Sequence, residues 1–539
     1  MSTQETIQKI ESIQEEPKKF FESDAGDGTS RKDQYLHGTK LVMCISSIMM
    51  CMFLVALDQT ISFTILVKVS ESFNSYEKLT WITSSFLLAL GCTAQIWGRL
   101  SIIFGRRWIM LSSIIIFEIG SLISGVAKSM DMLIGGRAMQ GVGGAGIQAC
   151  VMGIATEVTT IDKKPMILAM IGVVFVVASI LGPIIGGLFT TYTTWRWAFY
   201  INLCFAGPIL PLFLFSFRPQ TPKGGLMEKV KRIDYLGAVL MIASLVLLLL
   251  PLSFGGNEYK WNSGVVIGLF VAGGVLGIAF CVWDFFFAEN AVLPREIITT
   301  MGVVTSALSV SFSYAGFVVV TQFLVIYFQN IHNQTAFHAG LSLLPMVISL
   351  VLSNVVGGIV SQKTRHVKLI ALVGVVLSFV GIGILTLLEK DSPNSKRYGL
   401  QVLYGLGVGL AFQPPLVAAQ LACPKTPGST ILTMTFIYFG RGIATAVFSQ
   451  IAQAIYTATL RTKIGHIPSP DGVNLESVIN NTELLATLDS STGNMVKQAI
   501  MESIKNTFYL SMGLVAVFTI ATILMPNTRI PPKDHIEKE

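Results

Sequence analysis

Along most of the chain, apolar residues come in long runs of membrane-spanning length, of which 233–252 and 264–287 are the plainest, and not as the 3.6-residue stripes of soluble helices. A segment that spans a bilayer must satisfy every backbone N–H and C=O internally, so the choice lies between helices and a closed barrel. Uniformly apolar segments of this length fit helices. The pattern predicts fourteen of them, at 40–67, 80–98, 108–127, 133–156, 166–190, 197–217, 233–252, 264–287, 303–329, 339–361, 367–388, 398–420, 429–456 and 507–526. Residues 1–38 alternate Glu, Lys, Asp, Ser and Gly with few large apolar side chains and read as a disordered tail.

An even number of spans puts both termini on one side, and the loop charges say which. Arg99, Arg106, Arg107, Lys163, Lys164, Arg218, Lys223, Lys229, Lys231, Arg232, Lys363, Arg365 and Lys368 all fall on the side of the termini, so both termini are expected in the cytoplasm. The sequons at Asn333 and Asn480 fall in loops expected outside, and are candidate glycosylation sites. The expected division is a cytoplasmic tail (1–38), a six-helix half (39–218), a linker with two extra helices (219–290), a second six-helix half (291–528) with a long external loop at 457–506, and a second tail (529–539). Parallel halves of six helices around a central site are one transporter plan. Internal similarity is slight: Gly98-Arg99-Leu100-Ser101 and Gly358-Ile359-Val360-Ser361 each sit where a helix meets a basic loop.

Composition supports lipid as the solvent. Hydrophobic residues make up 52% of 539 positions and charged ones 13%, about half the share in soluble domains. The net charge of +7 is explained by loop topology, since no basic module is present for nucleic acid. The seven cysteines lie in or beside apolar runs without metal-ligand spacing and read as small buried hydrophobes, so neither a disulfide framework nor a metal site is indicated. No charged n-region precedes an apolar h-region, so no cleaved signal is expected.

The second span ends in Gly98-Arg99-Leu100-Ser101-Ile102-Ile103-Phe104-Gly105-Arg106-Arg107, where glycines let a short loop turn and arginines hold it at the phosphate-rich face; alone, this is also what a positive-inside anchor looks like. The fourth carries Arg137-Ala138-Met139-Gln140-Gly141, then Gly143, Gly144 and Gly146. The fifth carries Gly182-Pro183-Ile184-Ile185-Gly186-Gly187, and Trp195-Arg196-Trp197-Ala198-Phe199-Tyr200-Ile201-Asn202-Leu203 follows. Gly182-Pro183 bends the fifth helix while Gly186 and Gly187 allow close approach of a neighbour, as in a helix that rocks; small residues also simply pack membrane helices.

With Leu57-Asp58-Gln59-Thr60-Ile61, Phe117-Glu118-Ile119-Gly120-Ser121, Gly255-Gly256-Asn257-Glu258-Tyr259, Tyr327-Phe328-Gln329, Ala339-Gly340-Leu341 and Gly405-Leu406-Gly407-Val408-Gly409, this ordered series resembles the major facilitator superfamily over residues 40–526. The closer likeness is to its fourteen-span drug:proton antiporter branch in fungi. The resemblance implies an all-α integral membrane fold of two six-helix halves plus two helices, and export against proton entry through the fifth-helix motif. Gly98, Gly105, Arg106, Arg107, Gly182, Pro183, Gly186 and Gly187 are the implied gating positions. Two departures stand out. The resembled family carries an acid where this chain has Ile102, and that acid helps latch the outward-facing state; the first span reads Leu66-Val67 where Leu-Pro is usual. Arg106 and Arg107 are the candidates for substitute contacts.

Ionisable groups within the spans are Asp58, Glu118, Arg137 and Arg441. A central Asp or Arg costs about 2.5–3.5 kcal/mol to insert, so such residues face a cavity or a partner. Asp58 and Glu118 are the expected proton carriers, with Arg137 near the path; burial favours a protonated acid and a nearby cation an ionised one, which is the coupling an antiporter needs. The alternative for each acid is a structural pair with an arginine on another helix. Trp81, Phe86, Phe312, Tyr314, Tyr327, Tyr404, Phe412, Phe436 and Tyr438 can line a cavity for flat cationic or amphipathic compounds, or face lipid. Gln140, Gln148, Gln322, Tyr327, Asn354 and Gln413 are the expected cavity residues, although amides also bond across helices.

An enzyme is disfavoured because the six histidines sit in loops or at span edges without paired metal-ligand spacing, and an ATP-driven pump because no phosphate-binding Gly-x-x-x-x-Gly-Lys-Ser/Thr occurs. A channel or a sensor on a transporter fold stays open. Within transport, a plasma-membrane exporter of drug-like compounds competes with a vacuolar carrier of basic amino acids. The expectation is a monomer that needs no cofactor, with protons, a small molecule and the bilayer as its partners.

Overall fold

The computed structural model describes residues 34–73, 75, 78, 81–160, 163–219, 222, 225–255, 259–467 and 490–531. Among these, fourteen helices are long and apolar enough to cross a bilayer. They are α1 (Gly38–Phe73), α2 (Trp81–Phe104), α3 (Arg106–Gly125), α4 (Met130–Glu157), α5 (Lys164–Tyr192), α6 (Trp197–Ser216), α7 (Tyr235–Phe254), α8 (Gly264–Phe286), α9 (Met301–Ile326), α10 (Leu344–Thr364), α11 (Val367–Leu385), α12 (Asn394–Phe412), α13 (Ser429–Ile464) and α14 (Ser490–Leu524).

Local chemistry sets the ends. Ser129 caps α4 by accepting from Met132 N, and Asp234 caps α7 by accepting from Gly237 N at 2.8 Å. Pro345 restarts the chain at Leu344, so the span expected from 339 begins as a separate short helix, Ala336–Ser342. Gln413-Pro414-Pro415 likewise interrupts α12, which resumes at Pro414–Ala422, while α9 runs on through a π-helical turn at Tyr327–Ile331.

The long loop expected at 457–506 is shorter: α13 continues to Ile464 and α14 starts at Ser490. Lys463 pairs with Glu502 at 2.5 Å, and Asn506 donates to Thr459 Oγ1. Hydropathy loses a helix once its side chains become polar beyond the lipid, although the backbone bonding continues. The tails are also shorter than expected, because Leu36 N donates to Val158 O and Ile530 N to Arg365 O; residues 1–33 and 532–539 lie outside the described set.

The packing repeats. In the first six helices α3–α4, α2–α4, α1–α5, α1–α6 and α3–α6 are among the pairs that touch; in the last six α11–α12, α10–α12, α9–α13, α9–α14 and α11–α14 are among them. Adding eight to each number in the first set gives the second, so two halves share one plan. They meet along α2–α13 and α5–α10, which that operation exchanges. The pair α7–α8 packs outside the α2–α13 seam, with Leu249 of α7 against Cys92 and Ala446.

Candidate functional site

One polar network of the first half is organised around the carboxyl group of Asp58. Asp58 of α1 is wholly buried, as are Arg137 and Gln140 of α4 and Asn202 of α6. Arg137 and Gln140 are three residues apart and so share a helix face. Asp58 Oδ2 accepts from Arg137 NH1 at 2.5 Å, and Oδ1 accepts from Gln140 Nε2 at 2.8 Å and Asn202 Nδ2 at 2.9 Å. Gln140 Nε2 also donates to Ser121 Oγ of α3, and Arg137 Nε to Ile82 O. The ring of Phe86 lies 4.4 Å from the guanidinium. All three partners are donors, so this carboxyl group serves its neighbours as an acceptor. Removing one member of such a pair costs about 3–5 kcal/mol, because the other charge stays buried. This close arrangement needs α4 near α3: a Cβ on Gly143 would strike the Phe117 backbone.

Glu118, one turn from Ser121 on α3, is treated differently. Both its carboxyl oxygens are buried and find no hydrogen-bond partner, and it lies near enough to Asp58 for the two charges to interact. A charge there is unmatched by any donor.

The second polar centre lies between the halves. Arg441 of α13 is 5% exposed, and among the described residues no carboxylate comes within ion-pair reach of it. Its NH2 donates across the seam to Gln148 Oε1 of α4 at 3.2 Å. Its guanidinium lies over the rings of Tyr314 (4.3 Å), Tyr438 (4.3 Å) and Phe175 (5.5 Å). Cation–π contacts contribute roughly 0.5–2 kcal/mol each, less than a desolvated charge requires. Tyr314 also meets Phe175 and Phe412, each with centroids 5.9 Å apart. Two of the aromatics expected to face a cationic compound, Tyr314 and Tyr438, thus face the protein's own cation.

The gating positions divide. A Cβ on Gly182 or Gly186 would strike Thr60 or Thr64 of α1, and Gly187 and Pro183 face Phe337 and Gly340 of the second half, so the α5 motif touches both halves. A Cβ on Gly98 would strike Thr435 of α13; Gly105 has φ +93° at the turn into α3. Buried Arg106 pairs with Glu157 of α4 at 2.8 Å, and Arg107 donates to Leu214 O of α6, both contacts within the first half. Other contacts join the halves at the level of Ile102. Ile102 packs with Ile297, Val303 and Leu432, while Arg99 Nε donates to Ala291 O at 2.6 Å and Gln95 to Val292 O. An apolar seal and a clamp on the connector after α8 join the halves there.

Of the expected cavity residues, Gln140 has its amide fully engaged in the Asp58 network. Tyr327 packs against Phe328 and His332 and donates to Glu389 O, so it tethers the connector after α11. Gln148, Asn354 and Gln413 are buried with amide atoms unsatisfied, Asn354 against Gly172 of α5; Gln322 is half-buried on α9. Asn333 is exposed in a turn, with φ 51°, whereas Asn480, Lys223 and 256–258 lie outside the described residues. Outside the spans, burial and the charges of Arg397 and Lys497 hold His332 down at about 4. Asn202, Glu157 and Phe175 are functional neighbours not expected beforehand. An amide amid the apolar residues of α6 was a usable signal for Asn202; Phe175 offered none.

Known proteins resemble the whole chain. The sequence model of the Major Facilitator Superfamily matches residues 48–448. Vacuolar basic amino acid transporter 5 of Saccharomyces cerevisiae is 30% identical, covering 93% of this chain and 94% of its own; efflux pump aflT of Aspergillus parasiticus is 32% identical (84% and 88%). Azole resistance protein 1 of Saccharomyces cerevisiae is 30% identical, over 94% and 91%. The crystal structure of the human organic anion transporter MFSD10 shares the fold at a TM-score of 0.55 and 14% identity, covering 89% of this chain and all of that one. With a profile across most of its length, relatives matched nearly end to end and the doubled six-helix plan, this chain belongs to the Major Facilitator Superfamily of membrane transporters.

Proposed function

We propose that the protein is a proton-coupled exporter that exchanges a small organic compound for protons by alternating access. The observation that carries this reading is a pair of acids in opposite surroundings: Asp58, saturated by donors, and Glu118, whose carboxyl oxygens are buried with none. A second negative charge in the field of Asp58 is disfavoured, and a proton on Glu118 removes it. In this reading Glu118 carries the proton, and Asp58 with Arg137 sets the field in which it binds and leaves. The α5 motif, wedged between α1 and the second half, transmits the exchange to the seam. One proton crossing 100 mV releases roughly 2.3 kcal/mol, equal to about a fifty-fold gradient.

The names of the efflux relatives favour export, for which we propose the plasma membrane, and the basic residues on the terminal face favour cytoplasmic termini with Asn333 outside. The protein acts as a monomer, because each half already finds its partner within the chain. The relative named for basic amino acids supplies a second reading, a vacuolar carrier; the cation already fixed at Arg441 speaks against basic cargo.

The test is flux of aromatic probes in sealed vesicles with and without an imposed pH gradient. Wild type concentrates cargo against the proton gradient. Glu118→Gln and Asp58→Asn keep cargo-for-cargo counterflow and lose the gradient's effect. Flux indifferent to pH in the wild type, or full drive in both variants, would overturn the reading.

A further inference from the structure

We infer that the cargo site between the halves is an anion site, in which Arg441 and Gln148 receive the carboxylate of a flat aromatic acid. This rests on the transport reading and names its substrate class. The chemistry begins with an imbalance. Arg441 brings a guanidinium into the seam, and among the described residues its only hydrogen bond goes to Gln148 Oε1. The amide nitrogen of Gln148, itself 3% exposed, has no acceptor. Two donor groups, one on each half, therefore converge without an anion between them, whereas in the Asp58 network the same side-chain types are matched by a carboxylate. A ligand carboxylate would accept from both and restore at this site the pattern the protein uses for Arg137.

The surroundings fix the rest of the ligand. Phe175 of α5, Tyr314 of α9 and Phe412 of α12 form a chain of ring contacts beside the guanidinium. A planar ring attached to the carboxylate can stack among these faces, and a cation is repelled by Arg441. These groups come from both halves, so an anion bound here bridges them.

The site is closed in this structure, since α2 meets α13 at Gly91 and Gly442, and α5 meets α10 at Gly172 and Asn354. Cargo therefore enters when the halves part. An interior-negative membrane itself drives such an anion outward, in the same sense as proton entry. Electrostatics alone would make an anion and a proton bind together, so exchange between them has to come from the conformational cycle.

The test uses two matched pairs of probes, fluorescein against rhodamine 6G and 1-naphthoate against 1-naphthylmethylammonium. Equilibrium binding to the purified full chain is measured in detergent without any gradient. Each anion is expected to bind at least about tenfold more tightly than its cationic partner. Arg441→Gln should abolish that preference, and Arg441→Lys should restore part of it. Cation binding that is unchanged or improved in Arg441→Gln shows that the variant is folded; should that variant fail to fold, Arg441→Lys with a reduced anion preference and Phe412→Leu with weaker binding of both anions carry the test. Anions that bind no better than cations, or an anion preference that survives Arg441→Gln, would overturn the inference. Failure of proton exchange is read separately, as anion flux in vesicles driven by the opposite pH gradient or by none.

Discussion

Arg137 and Arg441 carry the same charge at buried positions of the same bundle, and their surroundings differ in one respect. Arg137 lies inside the first half, where Asp58 matches its charge at 2.5 Å and Gln140 and Ile82 take other donors. Arg441 lies on the seam between halves, where it has ring faces and one amide but no carboxylate. A charge neutralised within one half moves with that half as a unit. A charge left open at the seam is available to whatever arrives when the halves separate. In the proposed reading, that difference separates the network that serves the proton from the site that receives cargo.

The same substitution should break the two sites in opposite directions. Arg137→Met strands the Asp58 carboxylate and should cost about 3–5 kcal/mol of stability, read as a large loss of melting temperature in detergent. Arg441→Met removes an unmatched charge and should be neutral or stabilising by about 1–4 kcal/mol, since it replaces a desolvated ion with an apolar side chain of similar size. Equal destabilisation by both would erase the distinction. A smaller effect sharpens it: Gln148→Leu leaves the guanidinium in place and removes one neutral donor, so anion binding should weaken by roughly 0.5–1.5 kcal/mol, less than for Arg441→Gln. A loss as great as that of the arginine variant would make the amide, not the charge, the anchor.

Much of this was legible in the sequence, and the limits were physical. Long apolar runs marked the fourteen spans because lipid solvates every lipid-facing side chain alike, but they missed the outer turns of α13 and α14, where Lys463 and Glu502 bond in water. Asp58 and Arg137 stood out as charges among apolar residues, yet whether they met each other or a cavity depended on the α1–α4 contact, which no local pattern encodes. For Arg106 the sequence suggested a contact between halves, while its partner Glu157 lies fifty-one positions away in the same half. Tyr314 and Tyr438 were visible as aromatic candidates, but not that they close around Arg441. Ile102 could be read as a missing acid; the apolar seal with Val303 and Leu432 required the fold.

The most direct measurement is an experimental structure of the purified protein saturated with 1-naphthoate. The account predicts the ligand carboxylate within about 3 Å of the Arg441 guanidinium and the Gln148 amide, with the ring beside Tyr314 and the Asp58–Arg137 pair intact. Carboxylate density elsewhere, or a ligand that displaces Asp58 from Arg137, would contradict it.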